Sequence, residues 1–318
     1  MLLLVFLVIS VLGCNENTSR EITDRSGRTV TISGPVNRII STAPSNTEII
    51  TDLGLAHKLV AIDRHSANIR APAGYPDIPG GLPLLDFFYP DAEVIIGLKP
   101  DLVVASGHNP TGSGEDPFRL LSEAGIPVVY VPMSRSIDDI YEDIIFIAGI
   151  MQVQEKGEVL ISSMKEQIQD IKESISTHSQ LPAPPSVYFE ISAAPEMMTF
   201  GRDSFIDSMI SVIGAVNIFA NDNWLVTPGA ESIINRNPDV ILTNVNYIDD
   251  PIEEIKNRPG FSHINAVINN RIYQIDTDSS VRSSARIITA LRQMAEAVYP
   301  EENLGSEEPR RRISELYD

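Results

Sequence analysis

The sequence carries one cysteine, Cys14, in 318 residues. That excludes a disulfide framework within the chain, and it excludes a thiolate metal cluster. Basic residues are also scarce: 24 Lys and Arg stand against 43 Asp and Glu, a net charge of -19. A nucleic-acid binder needs basic patches to neutralise phosphates, so this balance argues against one. No P-loop, GxGxxG, HExxH or GxSxG pattern occurs. The histidines (His57, His65, His108, His178 and His263) are scattered, without the spacing of metal ligands. Catalytic groups can converge from distant positions, so these absences weigh against an enzyme without excluding one. No later segment is long and apolar enough to cross a bilayer.

What is present begins at the N-terminus. Residues 2–12 form one apolar run. At about 11 residues it is too short for a transmembrane helix but has the length of a signal-peptide core. Val11-Leu12-Gly13-Cys14 resembles a bacterial lipobox, followed by polar, turn-prone residues. A signal peptide over 1–13, lipidation at Cys14 and a tether over 14–21 are therefore expected. The chain would then be exported and anchored by lipid to the outer face of the cytoplasmic membrane. One feature departs from the pattern: no Lys or Arg precedes the apolar run, where export signals normally carry positive charge.

The length allows two domains, and the hydrophobic and charged fractions are those of globular proteins. A hairpin is predicted over 22–32 around Ser26-Gly27. Short apolar runs then alternate with helical patterns. Strands are expected at 38–41, 59–62, 101–105 and 127–131, and helices at 46–53, 91–98 and 118–124. This alternation predicts βαβ units and a mainly parallel sheet. Residues 136–177 read as helical, opened by a capping box from Ser136 to Asp139 and broken over 152–157. The later helix, about 153–176, would run about 35 Å, enough to bridge two lobes. The Pro-rich stretch 180–185 is a boundary. Beyond it, strands at 186–191, 240–243 and 271–275 alternate with helices at 204–213, 230–236 and 285–298. The chain thus divides into an N-terminal lobe (22–150), a bridging helix (151–179), a C-terminal lobe (180–300) and a charged tail (301–318).

The two lobes echo each other. Residues 90–104 and 228–242 both read Pro, two residues, Glu, a short helix, Pro-Asp, then a strand. Glu93 and Glu231 sit early in their helices, where a carboxylate also suits the macrodipole. Finding the unit twice suggests equivalent surfaces on two similar lobes.

Several ordered motifs together carry a resemblance. They include Thr23-Asp24-Arg25-Ser26-Gly27-Arg28, Arg38-Ile39-Ile40-Ser41 leading to Pro44-Ser45-Asn46-Thr47-Glu48, and Gly125-Ile126-Pro127-Val128. Further along come Thr199-Phe200-Gly201, Asn237-Pro238-Asp239-Val240-Ile241 and Asn270-Arg271-Ile272-Tyr273. The chain resembles, over about residues 22–300, the periplasmic binding proteins that serve ABC importers of iron-siderophores, haem and cobalamin. The resemblance implies an α/β fold: two Rossmann-like lobes with parallel sheets, joined by a single long backbone helix, with the ligand cleft between them. It implies a monomer that binds a metal chelate and hands it to the importer's permease subunits, with no cofactor and no resident metal. Arginines of the permease would contact Glu93 and Glu231. Cleft loops would supply Ser45, Asn46, His65, Phe87 and His108 from one lobe, and Arg202, Trp224, Asp278 and Arg282 from the other. Aromatics there suit a corrin or porphyrin face, and arginines suit an anionic chelate. Corrinoid, haem and ferric siderophore all remain open. So do a two-lobed chelatase-like enzyme and a chelate sensor uncoupled from transport.

Overall fold

The computed structural model describes residues 19–71, 77–109, 118–178 and 183–300. The expected signal peptide, Cys14 and the charged tail lie outside the described residues. The chain opens with an antiparallel hairpin, β1 (Ser19–Thr23) and β2 (Thr29–Ser33). Ser19 to Glu21 belong to this hairpin rather than to a free tether. Asp24 holds it in place. Its carboxylate accepts from the amides of Ser26, Arg28 and Tyr130, and from the Arg28 guanidinium. Arg28 lies over the Tyr130 ring at 4.0 Å and donates to the Val128 carbonyl at 3.0 Å. The hairpin thereby blocks the outer edge of a strand that would otherwise offer open backbone groups.

That strand is the last of a five-stranded parallel sheet. Its members are β3 (Ile39–Ser41), β4 (Leu59–Asp63), β5 (Leu84–Leu85), β6 (Leu102–Ser106) and β7 (Val128–Val131), in spatial order β5-β4-β3-β6-β7. β3 and β6 are buried along their whole length, as continuous apolar runs demand of central parallel strands. Helices α1 (Pro44–Asp52), α2 (Ala92–Leu98) and α3 (Arg119–Glu123) form the crossovers.

Two helices follow. α4 (Ile137–Ile150) starts with the expected capping box, Ser136 and Asp139 bonding reciprocally. Gln152, at φ 58, breaks the chain before α5 (Gln154–His178). α5 has 25 residues, or about 37 Å. Its Leu160, Met164, Ile168, Ile171 and Ile175 are all buried, each worth roughly 1.5–3 kcal/mol. They belong to one core shared with α1, α4 and helices of the second lobe. The bridge is thus a helix backed by a continuous apolar layer, more than an isolated rod.

The second lobe holds a four-stranded parallel sheet of β8 (Ser186–Glu190), β10 (Val216–Asn217), β12 (Val240–Thr243) and β13 (Ile272–Gln274), ordered β10-β8-β12-β13. A small antiparallel pair, β9 (Thr199–Phe200) and β11 (Leu225–Val226), lies outside it. The helices are α6 (Phe205–Val212), α7 (Ala230–Arg236), α8 (Pro251–Lys256), α9 (Asn265–Ile268), α10 (Thr277–Val281) and α11 (Ile287–Val298). The sheets are separate, which makes two lobes.

The repeated sequence unit is a repeated structure. α2 and α7 each end in a left-handed residue, Lys99 or Asn237, just before Pro-Asp. Asp101 then accepts from the Asn37 and Arg38 amides ahead of β3, and Asp239 accepts from the Ser186 amide at the start of β8. Each aspartate thus locks a helix-to-strand corner onto the entry of the neighbouring strand. Each helix runs antiparallel to the strand it feeds. The first turns of α2 and α7, with Glu93 and Glu231 exposed on them, therefore lie level with the strands' C-terminal ends.

Candidate functional site

In both sheets the chain reverses its direction of travel once. The reversal falls between β3 and β6 in the first and between β8 and β12 in the second. A crevice forms outside the C-terminal ends of strands at such switch points, and ligands of open α/β sheets bind there. The two C-terminal edges face each other. Arg282, after α10, donates to the carbonyl of His65, which follows β4, at 3.2 Å.

The first wall is built on β3, β4, β5 and β6. After β5, Asp86 caps a tight turn by accepting from the Phe88 and Tyr89 amides, and it pairs with Arg64 at 3.3 Å. Asn109 ties down the same turn by donating to the Phe87 and Phe88 carbonyls. The turn therefore holds three consecutive aromatics rigidly. Phe87 points inward between His65 and His108, with ring centroids 5.3 and 5.0 Å away. Phe88 and Tyr89 project into solvent. His108 bonds Ser106 through Nδ1 at 2.8 Å, and partial burial holds its imidazole below the ordinary range. Gly107 lets the floor close, since a Cβ there would come within 2.8 Å of the Met133 amide nitrogen. Met133 is itself exposed on the loop after β7.

The second wall is built on β8, β9, β11 and β12. Trp224 is exposed, its ring 5.4 Å from Phe200. Gly201 permits the approach of the 222–224 backbone. Arg202 is exposed beside it, bonded to Asn223. Tyr247, on the loop after β12, reaches across the switch point. Its hydroxyl accepts from the Ala193 amide at 2.8 Å and lies 3.3 Å from the Ser192 hydroxyl. Beneath this wall, Arg258 joins Glu190 and Glu254 in a buried network. Burial pushes the Glu190 carboxyl up, against the pull of Arg258. Among the described residues, no three His, Cys, Asp or Glu side chains gather as a metal site.

The structure thus brings His65, Phe87 and His108 together on one wall, with Ser45 half-buried at the start of α1. Arg202 and Trp224 stand on the other wall. Two expected residues are largely buried. Asn46 is 1% exposed and gives its amide to the Ala105 carbonyl, so it braces α1 against β6. Arg282 has a side chain only 10% exposed and is occupied by Glu48 at 2.9 Å and Asp278 at 2.8 Å. Phe88, Tyr89 and Tyr247 are exposed on the neighbouring loops.

This architecture is that of a bilobal binding protein, and comparison with known proteins agrees. The periplasmic binding protein family model matches residues 39–279, and the chain belongs to that family. It is 34% identical over 280 residues to the uncharacterized ABC transporter substrate-binding lipoprotein YvrC of Bacillus subtilis, covering 88% of this chain and 85% of that one. It is 26% identical to a vitamin B12-binding protein of Vibrio campbellii, covering 83% of this chain and 90% of that one. Among solved structures, a possible iron-binding periplasmic solute-binding protein of Staphylococcus epidermidis superposes with TM-score 0.71 at 30% identity, over 83% of this chain and 99% of that one. The protein is the substrate-binding component of an ABC transporter.

Proposed function

We propose that this protein captures a corrinoid outside the cell membrane and delivers it intact to its importer. One observation carries the choice of ligand. Four exposed aromatic side chains (Phe88, Tyr89, Trp224 and Tyr247) stand on loops of the two walls, while Arg282, which the resemblance implies as a cleft arginine, is engaged by Glu48 and Asp278. Stiff aromatic faces gain large contact area with a macrocycle at little entropic cost. A small, highly charged chelate would instead need uncommitted guanidinium groups. The vitamin B12-binding relatives support this reading. A second reading, a ferric chelate, draws on exposed Arg202 and on the Fe(3+)-citrate-binding protein YfmC of Bacillus subtilis, 22% identical.

Binding makes and breaks no covalent bond in this reading, so the protein is not an enzyme. A lipid on Cys14 holds the monomer at the membrane. Ser45, His65, Phe87, His108, Arg202 and Trp224 line the cleft, with Asp278 at its rim. Glu93 and Glu231 dock on permease arginines, which sets register more than affinity. Changing both glutamates to alanine should abolish uptake and leave binding intact, whereas a sensor would keep its function.

Trp224 is the single tryptophan of the chain and stands on the cleft wall, so its fluorescence is a built-in reporter. Cyanocobalamin is expected to quench it saturably at micromolar concentration or below, and Trp224→Phe to remove the signal. Quenching by ferric citrate with none by cyanocobalamin would overturn the corrinoid reading in favour of the second.

A further inference from the structure

The segment after α10 makes polar bonds to the opposite lobe that the binding reading does not use. Glu48 of α1 is fully buried, and the groups on its carboxylate come from the other lobe. Arg282 Nη1 donates to Oε1 at 2.9 Å, and Ser284 Oγ donates to Oε2 at 2.6 Å. Arg286 Nε lies 3.6 Å from Oε1, and its Nη2 donates to the Arg70 carbonyl. Arg282 does more than neutralise Glu48. Its Nη2 donates to the carbonyl of His65, whose ring packs on Phe87 in the first wall, and it also holds Asp278 at the rim of the second. One guanidinium therefore touches the backbone of one ligand wall and a rim residue of the other, while anchored on a carboxylate that water does not reach.

We propose that Arg282 and Ser284 form an interlobe latch on Glu48, and that Arg282 is a positioning residue that holds the His65 wall in register with the second lobe. Long-range polar contacts between lobes, paired and buried, fix one arrangement because breaking them strands a charge. The shared apolar layer of α4, α5 and α11 holds the lobes together, and the latch sets where their facing edges stop. Release of ligand at the permease would then require the latch to open.

The test uses electron-electron distance measurement on the whole chain carrying Cys14→Ser. Spin labels go on exposed Ser122→Cys in the first lobe and Asn269→Cys in the second, with Ser211→Cys and Asn269→Cys as a pair inside the second lobe. Arg282→Gln should broaden the interlobe distance distribution and leave the intralobe pair unchanged. Arg282→Lys, which keeps the charge on Glu48 but lacks the fork, should fall between. Cyanocobalamin should leave Arg282→Gln roughly tenfold faster than the parent chain. The affinity arm rests on the corrinoid reading, but the distance arm needs no ligand. If cyanocobalamin fails to bind the parent chain, that reading falls and distance alone decides the latch. Should Arg282→Gln not fold, Ser284→Ala removes a single bond to Glu48 and should broaden the distribution in the same direction, by less. An interlobe distribution unchanged in the folded variant overturns the latch, and lost affinity with unchanged distance would make Arg282 a direct ligand contact instead.

Discussion

Asp52→Asn should stabilise the protein, because a carboxylate at this position is buried with one oxygen unpartnered. The residue ends α1, one turn beyond Glu48. It is 1% exposed, and its Oδ2 has no hydrogen-bond partner. Burial pushes its carboxyl up to about 7, with Arg286 opposing and Glu48 reinforcing the rise. In the unfolded chain the group titrates near 3.8. A gap of about 3 between the two values corresponds to about 4 kcal/mol. The sign follows from proton linkage. The folded chain holds the proton more tightly, so the penalty is absent below the unfolded value. It grows as pH rises toward the folded value and is complete above it. Asparagine copies the shape of the neutral acid and never ionises. Urea titrations of both proteins at pH 5 and pH 8 should therefore show the variant gaining stability at both, with the gain at pH 8 larger by about 3 kcal/mol. Equal gains at the two pH values would mean that Asp52 does not ionise in this window, and the reasoning would fail.

Arg258→Leu should cost about 3–5 kcal/mol in urea unfolding, because it leaves Glu190 buried and unpaired under the second wall. Asp24→Ala should cost about 2 kcal/mol at pH 7, since it frees the hairpin from β7. Burial would raise the Asp24 carboxyl, but the Arg28 amide, the Ser26 hydroxyl, the Arg28 guanidinium and the Tyr130 amide outweigh it and hold the group below its ordinary value. The stabilisation is therefore present at neutral pH and lost as pH falls through that lowered value, so the two proteins should converge in strong acid. Gly201→Ala drives a Cβ to 2.5 Å from the carbonyl oxygens of Asp222 and Asn223. It should shift the Trp224 emission maximum and weaken cyanocobalamin binding measured by calorimetry, with little change in far-ultraviolet dichroism.

The elements legible in the sequence were those with a long or repeated pattern. The apolar spacing of α5, the Ser136 capping box and the fully apolar β3 and β6 all stand within a few residues of where their patterns put them. The short pieces were missed: β5, β9 with β11, α8, α9 and α10 span too few residues to express a period. The site was legible by loop and less so by residue. Phe87 is implied by the resemblance alone, and the exposed Phe88 and Tyr89 beside it are held by the Asp86 cap and by Asn109, which comes 22 residues after Phe87. The resemblance implies Arg282 as a ligand arginine, while its partner in the structure, Glu48, lies 234 residues away in sequence. No local pattern encodes that pairing.

The duplicated corner explains why capture and delivery would share one face. Asp101 and Asp239 pin α2 and α7 antiparallel to β6 and β12, which are also the strands at the two switch points. The geometry that opens a crevice at the strand ends therefore also brings Glu93 and Glu231 level with its rim. Under the docking role proposed for these glutamates, the distance between them varies with the angle between the lobes. A permease that reads both carboxylates reads that angle. The latch proposed on Glu48 lies at the same edge and would limit the same angle, so a variant that loosens it should alter docking as well as retention.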